Sequence, residues 1–87
     1  MKIKDNFILR KVADSYVVVP VGKQTLDFNG IINLNETGAF LFRLLQNGAD
    51  RDVLVEKLLE EYEVDRPRAQ ADIDKFLERV KEADVLE

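Results

Sequence analysis

One stretch, LNETGAFLFRLLQNG at residues 34–48, constrains the fold more than any other part of the chain. It predicts a helix that is apolar on nearly every side and therefore central, with the other elements packed around it. Asn35 is placed to cap the first turn, because its side-chain oxygen can accept a backbone N–H there. Gly48 stands where a left-handed residue favours the end of a helix.

The absence of two residue types limits the chemistry of the chain. Cysteine and histidine are both missing, which removes disulfides, thiolate chemistry, the commonest general base and the commonest transition-metal ligands. We therefore expect a protein that is not an enzyme, with no catalytic residue, no metal and no cofactor. The 87 residues predict a single domain, 1–87, with a core of adequate size.

The chain also lacks the marks of a membrane or exported protein. No apolar run reaches the roughly 18 residues that a membrane helix needs. The first ten residues contain lysines but no apolar segment of the kind found in signal peptides. The expectation is a cytoplasmic protein with no membrane partner.

The sequence before the central helix predicts a meander of three strands. Residues 7–13 alternate loosely, and residues 15–21 are rich in β-branched and aromatic side chains, with a tight turn at residues 14–15 between them. Pro20 cannot donate a ladder hydrogen bond, so it should lie at the end of its strand or face away from a neighbour. Residues 31–34 form the third, short strand.

Two further helices are predicted after the central one. Asp50 should cap a helix that runs to about Glu61, and Asp65 should cap a third helix with Pro67 in its first turn. The third helix carries one apolar stripe, made of Ala69, Ile73, Phe76, Leu77, Val80 and Ala83. The order βββααα indicates an α+β fold with the helices segregated after the strands.

The net charge of −4 is unevenly distributed along the chain. Residues 1–48 carry six basic and four acidic side chains, whereas residues 49–87 carry seven basic and thirteen acidic ones. Folded nucleic-acid-binding proteins usually present a basic stripe on the element that reads the nucleic acid. Here the helical half is the acidic half, which weighs against nucleic acid. A winged-helix DNA-binding regulator stays the alternative, because strands with three helices also suit that fold.

A set of short motifs occurs in this chain in an order typical of one family. They are YVVVP at residues 16–20, LNETG at 34–38, LL at 44–45 before Gly48, Leu58, Tyr62 and Val64, ADI at 71–73, FL at 76–77 and VL at 85–86. In this order and at these spacings the chain resembles the PqqD-type peptide chaperones, the stand-alone form of the RiPP recognition element (RRE). Asp84 departs from the pattern, since relatives often have glycine before the last apolar pair.

The resemblance implies a winged helix-turn-helix-like fold and a non-catalytic role in natural product biosynthesis. Such proteins hold the leader of a ribosomally synthesised precursor peptide and present it to a modifying enzyme, often a radical SAM enzyme. The leader adds as an extra antiparallel strand at the edge of the third strand. Its side chains enter the groove between that strand and the third helix. The implied partners are a leader peptide and an enzyme, and the chain is expected to be a monomer or a weak homodimer.

The residues of the third strand permit this role independently. They include no proline or lysine, two residues with which proteins blunt an exposed edge. Strand addition gives affinity through main-chain bonds and specificity through pockets for alternate side chains. Ile32→Pro is therefore expected to remove one ladder donor from the docking edge. The candidate peptide-binding residues are Gly30, Ile31, Ile32, Asn33 and Leu34 on the strand, and Asp72, Ile73, Lys75, Phe76, Arg79 and Val80 on the third helix.

Each of these residues also has a purely structural interpretation. By ordinary burial preferences, Ile31 and Ile32 are core residues on the two faces of a covered strand. The apolar residues of the third helix suit the core better than a groove wall, although one of them could serve as both. Lys75 and Arg79 could form a solvated face with weak ion pairs along the helix.

Overall fold

Three antiparallel strands followed by three helices make up the described part of the chain, which in this computed structural model comprises residues 1–21 and 32–87. The strands are β1 (Phe7–Val12), β2 (Ser15–Pro20) and β3 (Ile32–Leu34), in the sheet order β1-β2-β3. The helices are α1 (Glu36–Gln46), α2 (Arg51–Glu61) and α3 (Arg66–Glu82). The predicted α+β class and βββααα order are confirmed.

The turn between β1 and β2 lies one residue earlier than the sequence indicates. Val12 pairs with Ser15, so the loop is formed by residues 13–14 and Ser15 is already part of β2. Ala13 adopts a left-handed conformation with φ of 55°. Alanine carries no sequence signal for this conformation, which is why the turn was placed at residues 14–15. Pro20 is the last residue of β2, as expected.

Each helix begins at the cap that the sequence predicts. The side chain of each cap accepts a hydrogen bond from the backbone N–H three residues on, which stabilises a helix by about 1 kcal/mol. The pairs are Asn35 with Gly38 at 2.8 Å, Asp50 with Val53 at 2.9 Å, and Asp65 with Arg68 at 2.9 Å.

The first helix is the centre of the core. Leu41, Phe42 and Leu45 are almost completely buried, and α1 packs against the sheet on one side and α2 on the other. Gly48 follows with a positive φ of 88°, the left-handed conformation expected after this helix. None of the described helices is long and apolar enough to cross a membrane.

The two ends of the chain pair with each other. Ile3 and Leu86 form an antiparallel bridge, and the N–H of Lys4 donates to the Val85 carbonyl at 2.8 Å. Ile3 and Val85 are both buried in the core. Asp84, just before this bridge, has a φ of 59°. A left-handed residue at this point explains why glycine is favourable there.

Candidate functional site

The hydrogen-bond phase of β2 can be determined from one bond at its end. In an antiparallel ladder, the backbone groups of successive residues point alternately to one neighbour and to the other. The Val21 N–H donates to the Asn6 carbonyl at 2.8 Å, so Val21 faces the β1 side. Val17, four residues earlier, faces β1 as well. Tyr16 and Val18, on either side of it, therefore direct their N–H and C=O groups at β3.

The same alternation fixes which residue of β3 faces outward. Ile32 and Leu34 stand opposite the two β2 residues that face them, so their backbone groups complete the β2–β3 ladder. Asn33 stands opposite Val17, whose groups are directed at β1. The N–H and C=O of Asn33 consequently point away from the sheet, at its outer edge.

This alternation of inward and outward backbone groups corrects the expectation for Ile32→Pro. The Ile32 N–H belongs to the bond network between β2 and β3, and its side chain is buried in the core. Proline at this position would disrupt the sheet rather than the outer edge. The outward donor is that of Asn33.

The outward carbonyl of Asn33 is occupied by a side chain of α3. Arg79 Nη2 donates to the Asn33 oxygen at 2.7 Å, across a sequence separation of 46 residues. The distance is at the short end of the range for a charge-assisted hydrogen bond. Arg79 thus reaches from the helix to the edge of the sheet.

A groove of about 540 Å³ lies beside β3, between α1 and α3. One side is formed by the end of β3 and the start of α1, with Leu34, Asn35, Thr37, Gly38 and Leu41. The other side is one stripe of α3, because its members recur at three- and four-residue spacing: Arg68, Asp72, Lys75, Phe76 and Arg79.

Gly38 allows α1 and β3 to meet closely at this groove. A Cβ atom on Gly38 would lie 3.1 Å from both Cβ and Cδ2 of Leu34. That separation is tighter than ordinary van der Waals contact, so a larger residue would require the Leu34 side chain to shift. The Gly38 N–H also supplies the bond to the Asn35 cap.

The groove is basic although the chain is acidic. Among the described residues, its lining contains three cationic side chains and one carboxylate. The carboxylate, Asp72, is paired with Arg68 at 3.4 Å. Among residues 1–21 and 32–87, no ion pair involves Lys75 or Arg79.

The acids of α3 are partly engaged on another face of the helix. Arg51 of α2 donates two hydrogen bonds to Asp74, at 2.8 and 3.1 Å. These bonds lower the pKa of the Asp74 carboxyl. Asp74 is not among the groove residues. The charge of α3 is therefore divided between a basic stripe on the groove and acids elsewhere.

The candidate residues named from the sequence fall into four groups. Leu34, Asp72, Lys75, Phe76 and Arg79 line the groove, and exposed Asn33 lies at its edge. Ile32, Ile73 and Val80 are buried in the core, at 6%, 0% and 0% exposure. Gly30 and Ile31 lie outside the described residues. Phe76 belongs both to the core and to the groove, as the structural interpretation allowed for one residue of α3.

Sequence reasoning missed five groove residues, namely Arg68, Thr37, Gly38, Leu41 and Asn35, the last of which it named only as the cap of α1. Arg68 precedes Asp72 by one helical turn, and this spacing was sufficient to include it in the stripe. The three residues of α1 carried no comparable signal, because their place in the groove depends on the packing of α1 beside α3.

Comparison with known proteins gives one family and two similar solved structures. The family described as coenzyme PQQ synthesis protein D (PqqD) matches residues 15–86. A chain described as "TbiB1 in Complex with the TbiA(beta) Leader Peptide" is 28% identical with a TM-score of 0.77, covering 100% of this chain and 95% of that one. "Lasso peptide synthetase B1 complexed with the leader peptide" is 23% identical with a TM-score of 0.69, covering 93% and 89%, and shows the fold alone. No curated protein matches this chain.

Proposed function

Because the chain belongs to the PqqD family, we propose that it binds the leader of a ribosomally synthesised precursor peptide and presents it to a modifying enzyme. The protein acts as a chaperone and adaptor and catalyses no reaction itself. The similarity to TbiB1, a protein whose structure contains a leader peptide, supports this role. The match over residues 15–86 supports a single domain as the binding unit.

The observation that carries the proposal is the outward-facing backbone of Asn33 beside a groove. An added strand needs a donor and an acceptor on the edge that it joins, and pockets for its alternate side chains. Asn33 supplies both backbone groups, and the groove between α1 and α3 lies directly beside β3.

The leader docks antiparallel to β3 in this proposal. It exchanges an N–H and a C=O with Asn33, so every second leader side chain points into the groove. Apolar leader residues pack on the exposed parts of Phe76 and Leu34, and an acidic residue lies near Lys75. Ile73 and Val80, the other candidates on α3, support this surface from the core rather than by direct contact.

The second partner is an enzyme that acts on the precursor while its leader is held. A radical SAM enzyme stays the prediction for this partner. Neither the family nor the two similar structures supports the alternative of a DNA-binding regulator. The basic side chains of the groove suit an acidic ligand. A peptide fits better than duplex DNA, because a peptide can pair with the strand edge beside the groove and duplex DNA cannot.

The proposal can be tested with a fluorescently labelled leader from a short peptide encoded beside the gene. We expect saturable binding by anisotropy, with a scrambled leader of the same composition as the control. Equal binding of the scrambled peptide, or none of either, would contradict the proposal. A labelled duplex DNA in the same buffer is expected not to bind, and salt-sensitive DNA binding would favour the regulator instead.

A further inference from the structure

We propose that Arg79 guards the docking edge in the free protein and selects for leaders that carry a carboxylate. Such a leader draws Arg79 away from the Asn33 carbonyl, whereas a leader without one must displace it unaided. This inference rests on the proposed function, because it concerns the same edge and the same groove. It adds a condition on the peptide that strand addition alone does not impose.

Arg79 occupies the backbone acceptor that an added strand would use. The Asn33 carbonyl is the outward acceptor of β3 within residues 32–34, and Arg79 Nη2 lies 2.7 Å from it. An added strand would run about 4.8 Å from β3. A guanidinium bound to the carbonyl lies within that space. A carbonyl oxygen can accept two hydrogen bonds, so in this proposal the leader N–H competes with Arg79 for the Asn33 oxygen.

Within residues 1–21 and 32–87, the groove offers a displaced Arg79 few groups to bind. The carboxylate that this part of the chain contributes to the lining, Asp72, is paired with Arg68 and lies seven residues away along α3, roughly two helical turns. Glu82 is three residues on but does not line the groove, and an exposed pair at that spacing is weak. Lys75, the nearest basic neighbour on the stripe, repels Arg79 rather than binding it.

A carboxylate on the leader would complete the exchange. Arg79 would trade a bond to a neutral carbonyl for a pair with a charged group, in the bidentate geometry that guanidinium favours. The Asn33 oxygen would then accept the leader N–H. For a leader that carries amides instead, Arg79 is a competitor for the edge. The same side chain therefore favours one peptide and opposes the other.

The test compares two peptides on two variants. The peptides are the leader itself and a version with every Asp and Glu replaced by Asn and Gln. The variants are Arg79→Met and Lys75→Met, which each replace one long cationic side chain of the stripe with an apolar one. Only the first removes the bond to Asn33, so the second controls for lost charge and added apolar surface.

Arg79→Met is expected to change the affinities for the two peptides in opposite directions. Arg79→Met should bind the amide peptide about threefold more tightly and the acidic leader about threefold more weakly than the unmodified protein, as one modest hydrogen bond or ion pair implies. Lys75→Met should weaken the acidic leader and not tighten the amide peptide beyond twofold. Affinities are measured by calorimetry or anisotropy.

The free protein provides a second measurement. The carbonyl ¹³C resonance of Asn33 should move in Arg79→Met and stay in place in Lys75→Met, because Arg79 donates to that oxygen and Lys75, in the described residues, does not.

Several outcomes would overturn the inference. If Arg79→Met leaves the Asn33 resonance unchanged, or weakens the binding of both peptides, the role proposed for Arg79 is wrong. Leader binding itself would still stand. A tightly bound leader with no acidic residue would also contradict it. If neither peptide binds any of the three proteins, the proposed function fails and the guard fails with it.

Discussion

The sheet has two outer edges, and they differ in what lies beside them. β1 is six residues long, whereas β3 has only three. By the alternation that exposes Asn33, β1 directs the backbone groups of Leu9 and Lys11 outward. Counted by backbone groups alone, β1 is the better template for an added strand. The groove formed by α1 and α3, however, lies beside β3.

The comparison shows how a short edge can be the binding edge. Strand addition gains affinity from main-chain bonds, but it gains specificity from pockets for side chains. β3 leads directly into α1 through the Asn35 cap, which keeps the start of that helix beside the strand. The exposed lysine on β1 is a residue that proteins use to discourage pairing at an edge. We infer that the flanking surface decides the site, not the length of the strand.

The largest expected effect comes from blocking the two edges in turn. Asn33→Pro removes the outward N–H of β3, and Lys11→Pro removes an outward N–H of β1. An unmatched leader carbonyl makes the first change costly, so leader affinity should fall about tenfold or more. Lys11→Pro should leave leader affinity unchanged. Both are measured by anisotropy with the labelled leader.

Asn33→Ala separates the backbone from the side chain at this position. It retains the N–H and C=O and should bind the leader within about twofold of the original protein, since the Asn33 side chain is exposed. Equal loss in Asn33→Ala and Asn33→Pro would mean that the side chain, rather than the edge, contacts the leader. A loss in Lys11→Pro alone would move the site to β1.

Charge reversal on the groove should have a smaller effect. Lys75→Glu places a carboxylate between Asp72 and Arg79 on the stripe, so an acidic leader should bind about three- to tenfold more weakly, mainly through slower association. The difference from the original protein should shrink as salt is added. Stopped-flow association at two salt concentrations measures both. Lys57→Glu, on exposed α2 outside the groove, is the matched control.

A substitution that lowers stability without altering either edge tests whether lost stability alone reduces leader affinity. Gly48 has a φ of 88°, and an added Cβ would meet no atom within 4 Å. Gly48→Ala should therefore cost only the backbone strain of a left-handed alanine, about 1 kcal/mol of the free energy of unfolding. Urea denaturation measures this cost. Leader affinity should be unchanged, and a parallel loss would mean that instability explains the Asn33→Pro result.

The smallest effect is expected at the ion pair between α2 and α3. The hydrogen bonds from Arg51 lower the pKa of Asp74 in the folded protein. Its contribution to stability is therefore present above the pKa of the unfolded carboxyl and is lost as the pH falls through the lowered folded pKa. Both side chains are largely exposed, so the contribution is small. Urea unfolding of Asp74→Asn should differ from the original protein at neutral pH and converge with it in strong acid, with leader binding unaffected.

The sequence predicted the elements well because their signals are local. The caps at Asn35, Asp50 and Asp65 each act over three residues, and all three are confirmed. The pattern of backbone groups that face inward or outward in the sheet has no such local signal, because it depends on how the strands pair. Placing the turn at residues 14–15 instead of 13–14 moves each pairing partner by two residues and exchanges the backbone groups of β2 that face β1 with those that face β3. No local pattern distinguishes Ile32 from Asn33 as the outward donor, and the pairing of β2 with β3 assigns that position to Asn33.

The groove was predictable in part. The helical spacing of Asp72, Lys75, Phe76 and Arg79 places them on one stripe, and the structure brings these residues together. The bond between Arg79 and Asn33 joins residues 46 positions apart and depends on how α3 lies against β3, so no local pattern could indicate it. The burial of Ile73 and Val80, by contrast, agrees with the apolar stripe of α3, whose residues suit the core better than a groove wall.

The most direct test is an NMR titration of the isotope-labelled protein with the leader peptide. We predict that the amide of Asn33 and the stripe of α3 from Arg68 to Arg79 show the largest shifts, while Leu9 and Lys11 stay in place. The largest shifts at Leu9 and Lys11, with Asn33 unmoved, would contradict the account, because they would place the leader on the longer edge.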